Sequence, residues 1–129
     1  MDVFTILVVD DHPHIRSWLV EFLALHFPDC RFLEAADGET AVEMAQNEKP
    51  HAVIMDLRLP GVNGFEATAR IKREHPDAEV LVHSMDASPA VRRAAFAAGA
   101  SAFLPKGEPP HRLTRVVRKL LSRASQARA

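Results

Sequence analysis

Two adjacent carboxylates follow an apolar segment near the N-terminus, in the sequence ILVVDDHP. Asp10 and Asp11 end that segment, and Asp56 ends a second one, HAVIM. Three carboxylates within about 4–6 Å of one another would repel by several kcal/mol at an effective dielectric constant near 20. A divalent cation with oxygen ligands removes that cost, and Mg²⁺ is favoured because it binds a few carboxylates together with water. The acidic residues therefore predict a magnesium site, provided that the fold brings them together.

A hydroxyl and an ammonium group end two further apolar segments. Ser84 follows EVLVH, and Lys106 follows SAFLP. A phosphoryl group needs such partners, because the hydroxyl donates a hydrogen bond and the lysine is a compact positive charge. Beside a bound cation, a carboxylate can act as a nucleophile and form an acyl phosphate. Asp56 is the best candidate because it stands alone at its segment end, which leaves Asp10 and Asp11 to hold the metal.

Each of these residues also has an ordinary interpretation when it is taken alone. An aspartate at a strand end usually caps a turn or a helix, a serine before a loop is common turn chemistry, and a lysine after an apolar segment is usually solvated. The prediction of a site depends on their joint placement at the ends of four apolar segments.

The elements that would position these residues are read from the hydrophobic periodicity. Five short apolar segments predict strands at residues 4–9, 30–36, 51–55, 79–83 and 101–105, and helical periodicity follows each of them. The predicted helices begin near Pro13, Asp37, Asn63, Ser88 and Pro110. This alternation predicts an α/β fold with a parallel sheet and helices on both faces. Since binding sites of such sheets lie at the carboxyl ends of the strands, the polar segment ends should converge.

The composition is that of a single globular domain. The chain has 129 residues, and its net charge of −1 argues neither for nor against nucleic acid as a partner. Its one cysteine, Cys30, excludes an internal disulfide and is expected to pack as a small apolar residue. No apolar stretch approaches the roughly 20 residues needed to span a bilayer, and the start lacks the basic region of a signal peptide. We therefore expect a cytoplasmic location and no membrane association.

The last residues lack an apolar stripe. Residues 122–129, SRASQARA, are predicted to be a frayed end or the start of a linker. This places the folded domain at residues 1–121.

The sequence resembles the receiver domain of bacterial two-component response regulators over residues 4–121. The motifs that carry the resemblance are ILVVDDHP, EAADGETAVEMA, VIMDLRLPGVNGFEATARIK, VLVHS and GASAFLPK. The segments DDHP and MDLRLPG are most similar to receivers of regulators with a C-terminal helix-turn-helix domain. The resemblance implies a flavodoxin-like, doubly wound (βα)₅ fold that accepts a phosphoryl group from a histidine kinase.

The resemblance also implies roles for individual residues. Asp56 would be the phosphoacceptor, and Asp11, Asp56 and the backbone carbonyl of Arg58 would bind Mg²⁺ directly. Asp10 would act on the metal largely through water. Ser84 would contact the phosphoryl oxygens together with Lys106.

Phe103 occupies the position of an aromatic switch residue in that family. Its ring would turn inward when Ser84 moves toward the phosphate, and the alternative is a core phenylalanine that does not switch. The affected surface would consist of the fourth helix, the fifth strand and the basic last helix, which is either a solvated face or a surface for a homodimer or another partner.

Several positions depart from the family pattern. Met85 stands where a small residue is usual, and a methionine there could cover the site and slow phosphotransfer. His83 replaces an apolar residue and either titrates near neutrality or is buried and hydrogen-bonded. Gly107 replaces the common proline after Lys106, which leaves the local peptide geometry open. Arg58 and Asp86 have opposite charges that could pair over the site.

The resemblance favours a signalling switch with self-catalysed phosphotransfer and autodephosphorylation rather than an enzyme. The partner would be a sensor histidine kinase or a phosphotransfer protein. A DNA-binding output domain beyond residue 129 is favoured over a stand-alone receiver, and this chain itself is not expected to bind DNA. One alternative class is a metal-dependent phosphoesterase, which would need metal-binding histidines at other strand ends. A flavin-binding module is weaker, because the first loop is acidic rather than phosphate-binding.

Overall fold

The computed structural model describes residues 3–128, which form five strands and five helices in strict alternation. The strands are β1 (Thr5–Val9), β2 (Arg31–Ala35), β3 (Ala52–Met55), β4 (Glu79–Ser84) and β5 (Ala102–Pro105). The helices are α1 (Pro13–His26), α2 (Gly38–Glu48), α3 (Gly64–Glu74), α4 (Pro89–Ala97) and α5 (Pro110–Ala127). The α/β prediction is confirmed, and the element bounds differ from the predicted ones by a residue or two, except at the end of α5.

The strands form one parallel sheet in the order β2-β1-β3-β4-β5. Alternate residues of β1 enter two different cores: Leu7 and Val9 pack with α2 and α3, whereas Ile6 and Val8 pack with α1 and α5. Because both faces are covered, every residue of β1 is buried, which explains why its sequence is continuously apolar rather than alternating.

The helix starts follow from side-chain caps. Asp37 accepts a hydrogen bond from the backbone N–H of Thr40 at 2.8 Å. Asn63 accepts one from the N–H of Glu66 at 3.0 Å, and Ser88 accepts one from the N–H of Val91 at 3.3 Å. Three of the predicted helix starts are therefore confirmed. Each cap satisfies a backbone donor that the first helical turn leaves unpaired, and this fixes where the helix begins.

The C-terminal segment differs from the frayed end predicted for it. Helix α5 continues without a break from Pro110 to Ala127, and Ala124 is fully buried. Ala124 lies seven residues after Val117, so it extends the buried stripe of α5 by a further turn although its side chain is small. The Arg128 guanidinium then donates hydrogen bonds to the carbonyls of Lys49 and Pro50. The expected frayed end was therefore wrong, while the division of domains at residue 121 remains a prediction. No helix within residues 3–128 is both long and apolar enough to cross a membrane.

A glycine lets α3 approach the backbone that follows β3. The N–H of Gly64 donates a hydrogen bond to the carbonyl of Leu57 at 3.0 Å. A Cβ atom on Gly64 would clash with the carbonyl oxygen of Asp56 and lie 2.7 Å from Cα of Leu57. Both obstacles are backbone atoms and cannot rotate away. Gly64 therefore sets the position of the Asp56 peptide.

We predict that Gly64→Ala lowers the free energy of unfolding by about 1–3 kcal/mol, because the added methyl group forces backbone atoms apart. Urea denaturation followed by far-ultraviolet circular dichroism measures the change. Gly107→Ala is the control: a Cβ there meets no atom within 4 Å, and we expect a change within about 0.5 kcal/mol. Equal stabilities of the two variants would contradict the packing argument.

Candidate functional site

The functional side chains lie at the carboxyl edge of the sheet because the strand ladder continues into the residues that follow the strands. The N–H of Asp56 donates to the carbonyl of Val9 at 3.0 Å, which joins the ends of β1 and β3. The N–H of Lys106 donates to the carbonyl of Ser84 at 2.9 Å, which joins the ends of β4 and β5. The structure thus brings the four predicted strand ends to one edge.

Lys106 lies between two buried carboxylates. Its Nζ is 3.0 Å from Oδ2 of Asp10, with which it forms a hydrogen bond, and 3.4 Å from Oδ2 of Asp56. The side chains of Asp10 and Asp56 are only 1% and 7% exposed. We call Asp10, Asp11, Asp56 and Lys106 the acidic pocket. Three carboxylates facing one ammonium group leave this pocket with an excess of negative charge.

The two buried carboxylates have opposite pKa shifts. Burial raises the pKa of Asp56, and the Asp10 carboxylate adds to this, while the Lys106 ammonium only partly opposes it. Burial would also raise the pKa of Asp10, but the hydrogen bond from the backbone of His12 and the interactions with Lys106 outweigh it, so the pKa is lowered. Asp10 is therefore the better compensated carboxylate, and the protein offsets the charge of Asp56 only in part.

Hydrogen bonds divide the pocket into occupied and free oxygens. Oδ1 of Asp10 accepts from the His12 backbone at 2.9 Å and contacts the His12 ring, and its Oδ2 accepts from Lys106. By contrast, Oδ1 of Asp11 and Oδ2 of Asp56 are buried and accept no hydrogen bond within the described chain. A buried oxygen without a partner is costly, so these two atoms mark where a cation would be stabilised.

His12 is a residue of this edge to which the sequence analysis assigned no role. The side chain makes no helix-capping hydrogen bond. Its Nδ1 instead lies 3.0 Å from Oδ1 of Asp10 and 3.1 Å from Oδ1 of Asp11. Four potential ligand atoms lie within 4.8 Å of one another here, one each from Asp10, Asp11, His12 and Asp56. The signal was available, because an imidazole directly follows the acidic pair.

Ser84 borders the pocket and begins a chain of hydrogen bonds. Its Oγ accepts from the N–H of Asp86 at 3.1 Å, Oδ1 of Asp86 accepts from the N–H of Ser88, and Oγ of Ser88 accepts from the N–H of Val91 in α4. We call this chain the Ser84 relay. It connects the sheet edge to the first turn of α4 through short, directional contacts.

Arg58 and Asp86 line a cavity of about 320 Å³ beside Ser84. Their predicted pairing is not observed, since no ion pair within 4.0 Å joins them in residues 3–128. The hydrogen bond from Ser88 lowers the pKa of Asp86, and the charge of Arg58 adds to that effect. The backbone N–H of Arg58 faces the carboxylate of Asp56 and stabilises its charge.

Phe103 is buried on the side of the sheet that carries α4. The guanidinium carbon of Arg92 lies 5.1 Å from the centre of its ring, which is the geometry of a cation–π contact. Phe103 therefore belongs to the hydrophobic core in this structure.

Three departures from the family pattern are resolved by the structure. The side chain of Met85 is 76% exposed and does not line the cavity beside Ser84, so it does not cover that cavity in this structure, and its effect on phosphotransfer stays a prediction. His83 is buried, its Nδ1 has no partner among the described residues, and burial lowers its pKa to about 4. The structure therefore supports the buried alternative for His83, without the hydrogen bond at Nδ1. The peptide bond between Lys106 and Gly107 is trans, as are all those described.

The fold and the pocket define the class of protein as a doubly wound parallel α/β domain whose functional edge carries three aspartates and a lysine. The profile of the response regulator receiver domain matches residues 6–118. The chain belongs to this family, and it is the receiver domain of a two-component response regulator. The phosphoesterase and flavin-module alternatives are thereby set aside.

Two regulators and one solved structure illustrate the similarity. The chain is 40% identical over 117 residues to the transcriptional activator protein ExaE of Pseudomonas putida, covering 91% of this chain and 55% of ExaE. It is 32% identical over 117 residues to the response regulator GacA of Pseudomonas protegens, covering 88% of this chain and 53% of GacA. A LuxR-family response regulator from an Aurantimonas species superposes with a TM-score of 0.86 at 34% identity, covering 94% of this chain and 86% of that one. The chain thus spans about half of the length of the curated relatives it matches.

We predict that Asp56→Asn stabilises the metal-free protein at pH 7 by about 1–2 kcal/mol, because it removes a buried charge that the pocket compensates only in part. A raised pKa means that the folded state binds the proton more tightly than the unfolded state. The gain should therefore shrink as the pH falls and wild-type Asp56 becomes protonated. Urea denaturation in a chelator measures it, with the exposed Asp77→Asn as the control. A destabilised Asp56→Asn protein at pH 7 would refute this charge assignment.

His83 provides a second test of burial. Because its pKa falls from 6.5 to about 4 on folding, the folded state resists protonation, and the protein should lose up to roughly 3 kcal/mol of stability through this group between pH 6.5 and 4. His83→Leu should remove that part of the acid destabilisation. His111→Gln, at an exposed site, should retain the wild-type pH dependence. Parallel stability–pH curves for wild type and His83→Leu would exclude the buried neutral imidazole.

Proposed function

We propose that this receiver accepts a phosphoryl group on Asp56 in the presence of Mg²⁺ and thereby switches a protein surface. The observation that carries the proposal is the state of Asp56: its carboxylate is buried beside Lys106, its pKa is raised, and Oδ2 accepts no hydrogen bond in the described part of the chain. Such an oxygen keeps its lone pairs available for attack on phosphorus.

The donor set of the acidic pocket fits Mg²⁺, which prefers hard oxygen ligands and retains several waters. Asp11, Asp56 and the backbone carbonyl of Arg58 would hold the ion, and the free Oδ1 of Asp11 supports this assignment. Asp56 would bind the ion through the carboxylate oxygen that does not attack phosphorus. Asp10 would act through water, because the protein already occupies both of its carboxylate oxygens. A bound Mg²⁺ supplies positive charge that offsets the carboxylates and the phosphoryl oxygens.

In the proposed phosphotransfer, the donor is a phosphohistidine. An oxygen of Asp56 attacks the phosphorus, so an O–P bond forms while the N–P bond of the donor breaks and the donor imidazole leaves. Lys106 and the hydroxyl of Ser84 would contact the phosphoryl oxygens, as charge-assisted partners of a group that carries close to two negative charges. The receiver would catalyse this transfer and the later hydrolysis itself, without being an enzyme in the ordinary sense.

The switch would act through Ser84 and Phe103. The Ser84 hydroxyl accepts a hydrogen bond from Asp86 but keeps its own proton, so it can donate to a phosphoryl oxygen. A shift of Ser84 would pull the Ser84 relay and α4, on which Arg92 covers Phe103. The surface formed by α4, β5 and α5 would then be the switched face, and a homodimer or another partner would bind there.

The partners follow from the family. A sensor histidine kinase or a phosphotransfer protein would supply the phosphoryl group, in the cytoplasm. ExaE is a transcriptional activator of which this chain covers about half, and we propose a DNA-binding output domain beyond residue 129. A stand-alone receiver that acts by protein contact is the alternative. Residues 3–128 would not bind DNA themselves.

The test is intact mass spectrometry after incubation with acetyl phosphate and Mg²⁺. Wild type should gain a single phosphoryl group, Asp56→Asn should gain none, and Asp77→Asn should behave as wild type. Chelation of Mg²⁺ should abolish the gain, because the carboxylates then repel the incoming phosphate. An adduct that persists in Asp56→Asn, or no adduct in wild type, would overturn the proposal.

A further inference from the structure

We propose that His12 is a direct ligand of the cation in the acidic pocket. It would convert an all-oxygen site into a mixed nitrogen and oxygen site that binds a divalent first-row transition-metal ion more tightly than Mg²⁺. This inference rests on the proposed function, since it adds a ligand to the cation site described there.

The position of Nδ1 is that of a ligand atom. It lies 3.0 Å from Oδ1 of Asp10 and 3.1 Å from Oδ1 of Asp11. Neighbouring donor atoms of an octahedral ion with bonds of about 2.1 Å are separated by about 3.0 Å. The imidazole nitrogen and the Asp11 oxygen therefore already have the spacing of two adjacent ligands, and the Asp56 carboxylate offers a further donor within the same 4.8 Å group.

An independent observation points to a cation at this place. The side chain of Asp56 is only 7% exposed, and its Oδ2 has no hydrogen-bond partner within residues 3–128. The Oδ1 atom of Asp11 is likewise buried and accepts no hydrogen bond within residues 3–128, and Nδ1 of His12 lies 3.1 Å from it. In this structure Nδ1 of His12 makes a hydrogen bond with Oδ1 of Asp10, and a bound cation would take the place of the proton between them. The two carboxylate oxygens that accept no hydrogen bond would complete its coordination.

The local sequence holds the imidazole in this position. Pro13 follows His12 and disfavours the α conformation for it, and the His12 backbone is extended, at φ −92° and ψ 108°. The ring therefore does not follow the helix but lies over the acidic pair. It is 61% exposed, so an ion and its waters can reach Nδ1 from solvent. His14, two residues later, is exposed and lies outside the ligand group, which makes it a matched control.

The imidazole changes which ions the pocket favours. Carboxylates and water suit Mg²⁺ and Mn²⁺, whereas imidazole suits later transition metals such as Ni²⁺ and Zn²⁺, whose affinities also rise along the series. A nitrogen ligand thus adds affinity for Ni²⁺ and little for Mg²⁺. The difference between these two ions isolates the contribution of His12 from that of the aspartates.

The experiment compares tag-free wild type, His12→Gln and His14→Gln, because the chain has seven histidines that must be distinguished. Calorimetric titration with Ni²⁺ and with Mg²⁺ gives the two affinities. We expect His12→Gln to weaken Ni²⁺ binding about tenfold or more while Mg²⁺ binding changes less than about threefold. In Mn²⁺-loaded protein, pulsed electron paramagnetic resonance should detect coupling to an imidazole ¹⁴N in wild type and His14→Gln, and not in His12→Gln.

Equal weakening of Ni²⁺ and Mg²⁺ binding in His12→Gln, or no ¹⁴N coupling in wild type, would overturn the inference, since His12 would then act only by positioning Asp10. Absence of Ni²⁺ binding to wild type would overturn it as well. A separate experiment tests the proposed function. Mass spectrometry follows the phosphorylation of Asp56 with Mg²⁺, and its result does not depend on whether the pocket prefers Ni²⁺ to Mg²⁺.

Discussion

The contact between Lys106 and Asp10 is the interaction on which the rest of the site depends. It joins residues 96 positions apart in the sequence, across the ends of β3 and β4, which lie between β1 and β5 in the sheet. Asp10 is buried and the Lys106 side chain is only 10% exposed, so the pair forms only when the parallel register brings the strand ends level. The Lys106 ammonium group lies closer to Asp10, at 3.0 Å, than to Asp56, at 3.4 Å. The negative charge of Asp56 is therefore offset less than that of Asp10. The chemistry proposed for Asp56 is therefore a consequence of how Lys106 is used.

This division of charge has a structural cost that the two cores must offset. An unpartnered buried carboxylate oxygen costs on the order of 1–3 kcal/mol, and the pocket contains two of them. The strands beneath the pocket are buried on both faces, and α3 is held against the Asp56 peptide by Gly64. Rigid elements thus hold a polar arrangement that would relax if it were placed on a mobile loop. A cation relieves the same cost, so its binding and the stability of the fold are linked.

Most of the site could be predicted because it depends on strand ends. Continuous apolar segments marked the strands, and the parallel connection then required Asp10, Asp56 and Lys106 to meet. What the sequence did not reveal depends on side-chain direction. Met85 lies beyond the end of β4, where alternation no longer directs a side chain inward, so it projects into solvent. The direction of the His12 ring depends on the backbone restriction before proline, and the extension of α5 depends on a single small residue, Ala124, which a search for large apolar residues overlooks.

The energies of the contacts near Ser84 suit a reversible switch. Each hydrogen bond of the Ser84 relay contributes about 1 kcal/mol, and the contact between Arg92 and Phe103 a similar or smaller amount. A phosphoryl group on Asp56 would offer charge-assisted hydrogen bonds worth about 1.5–3 kcal/mol each. Reversing a two-state population from 1:99 to 99:1 takes about 5.5 kcal/mol. Two such bonds, one to Ser84 and one to Lys106, would together approach about 5.5 kcal/mol. They reach this free energy only if Lys106 keeps most of its contact with Asp10 when it binds the phosphoryl group. Under the proposed function, a shift of Ser84 rather than of Lys106 would therefore have to bring about the switch.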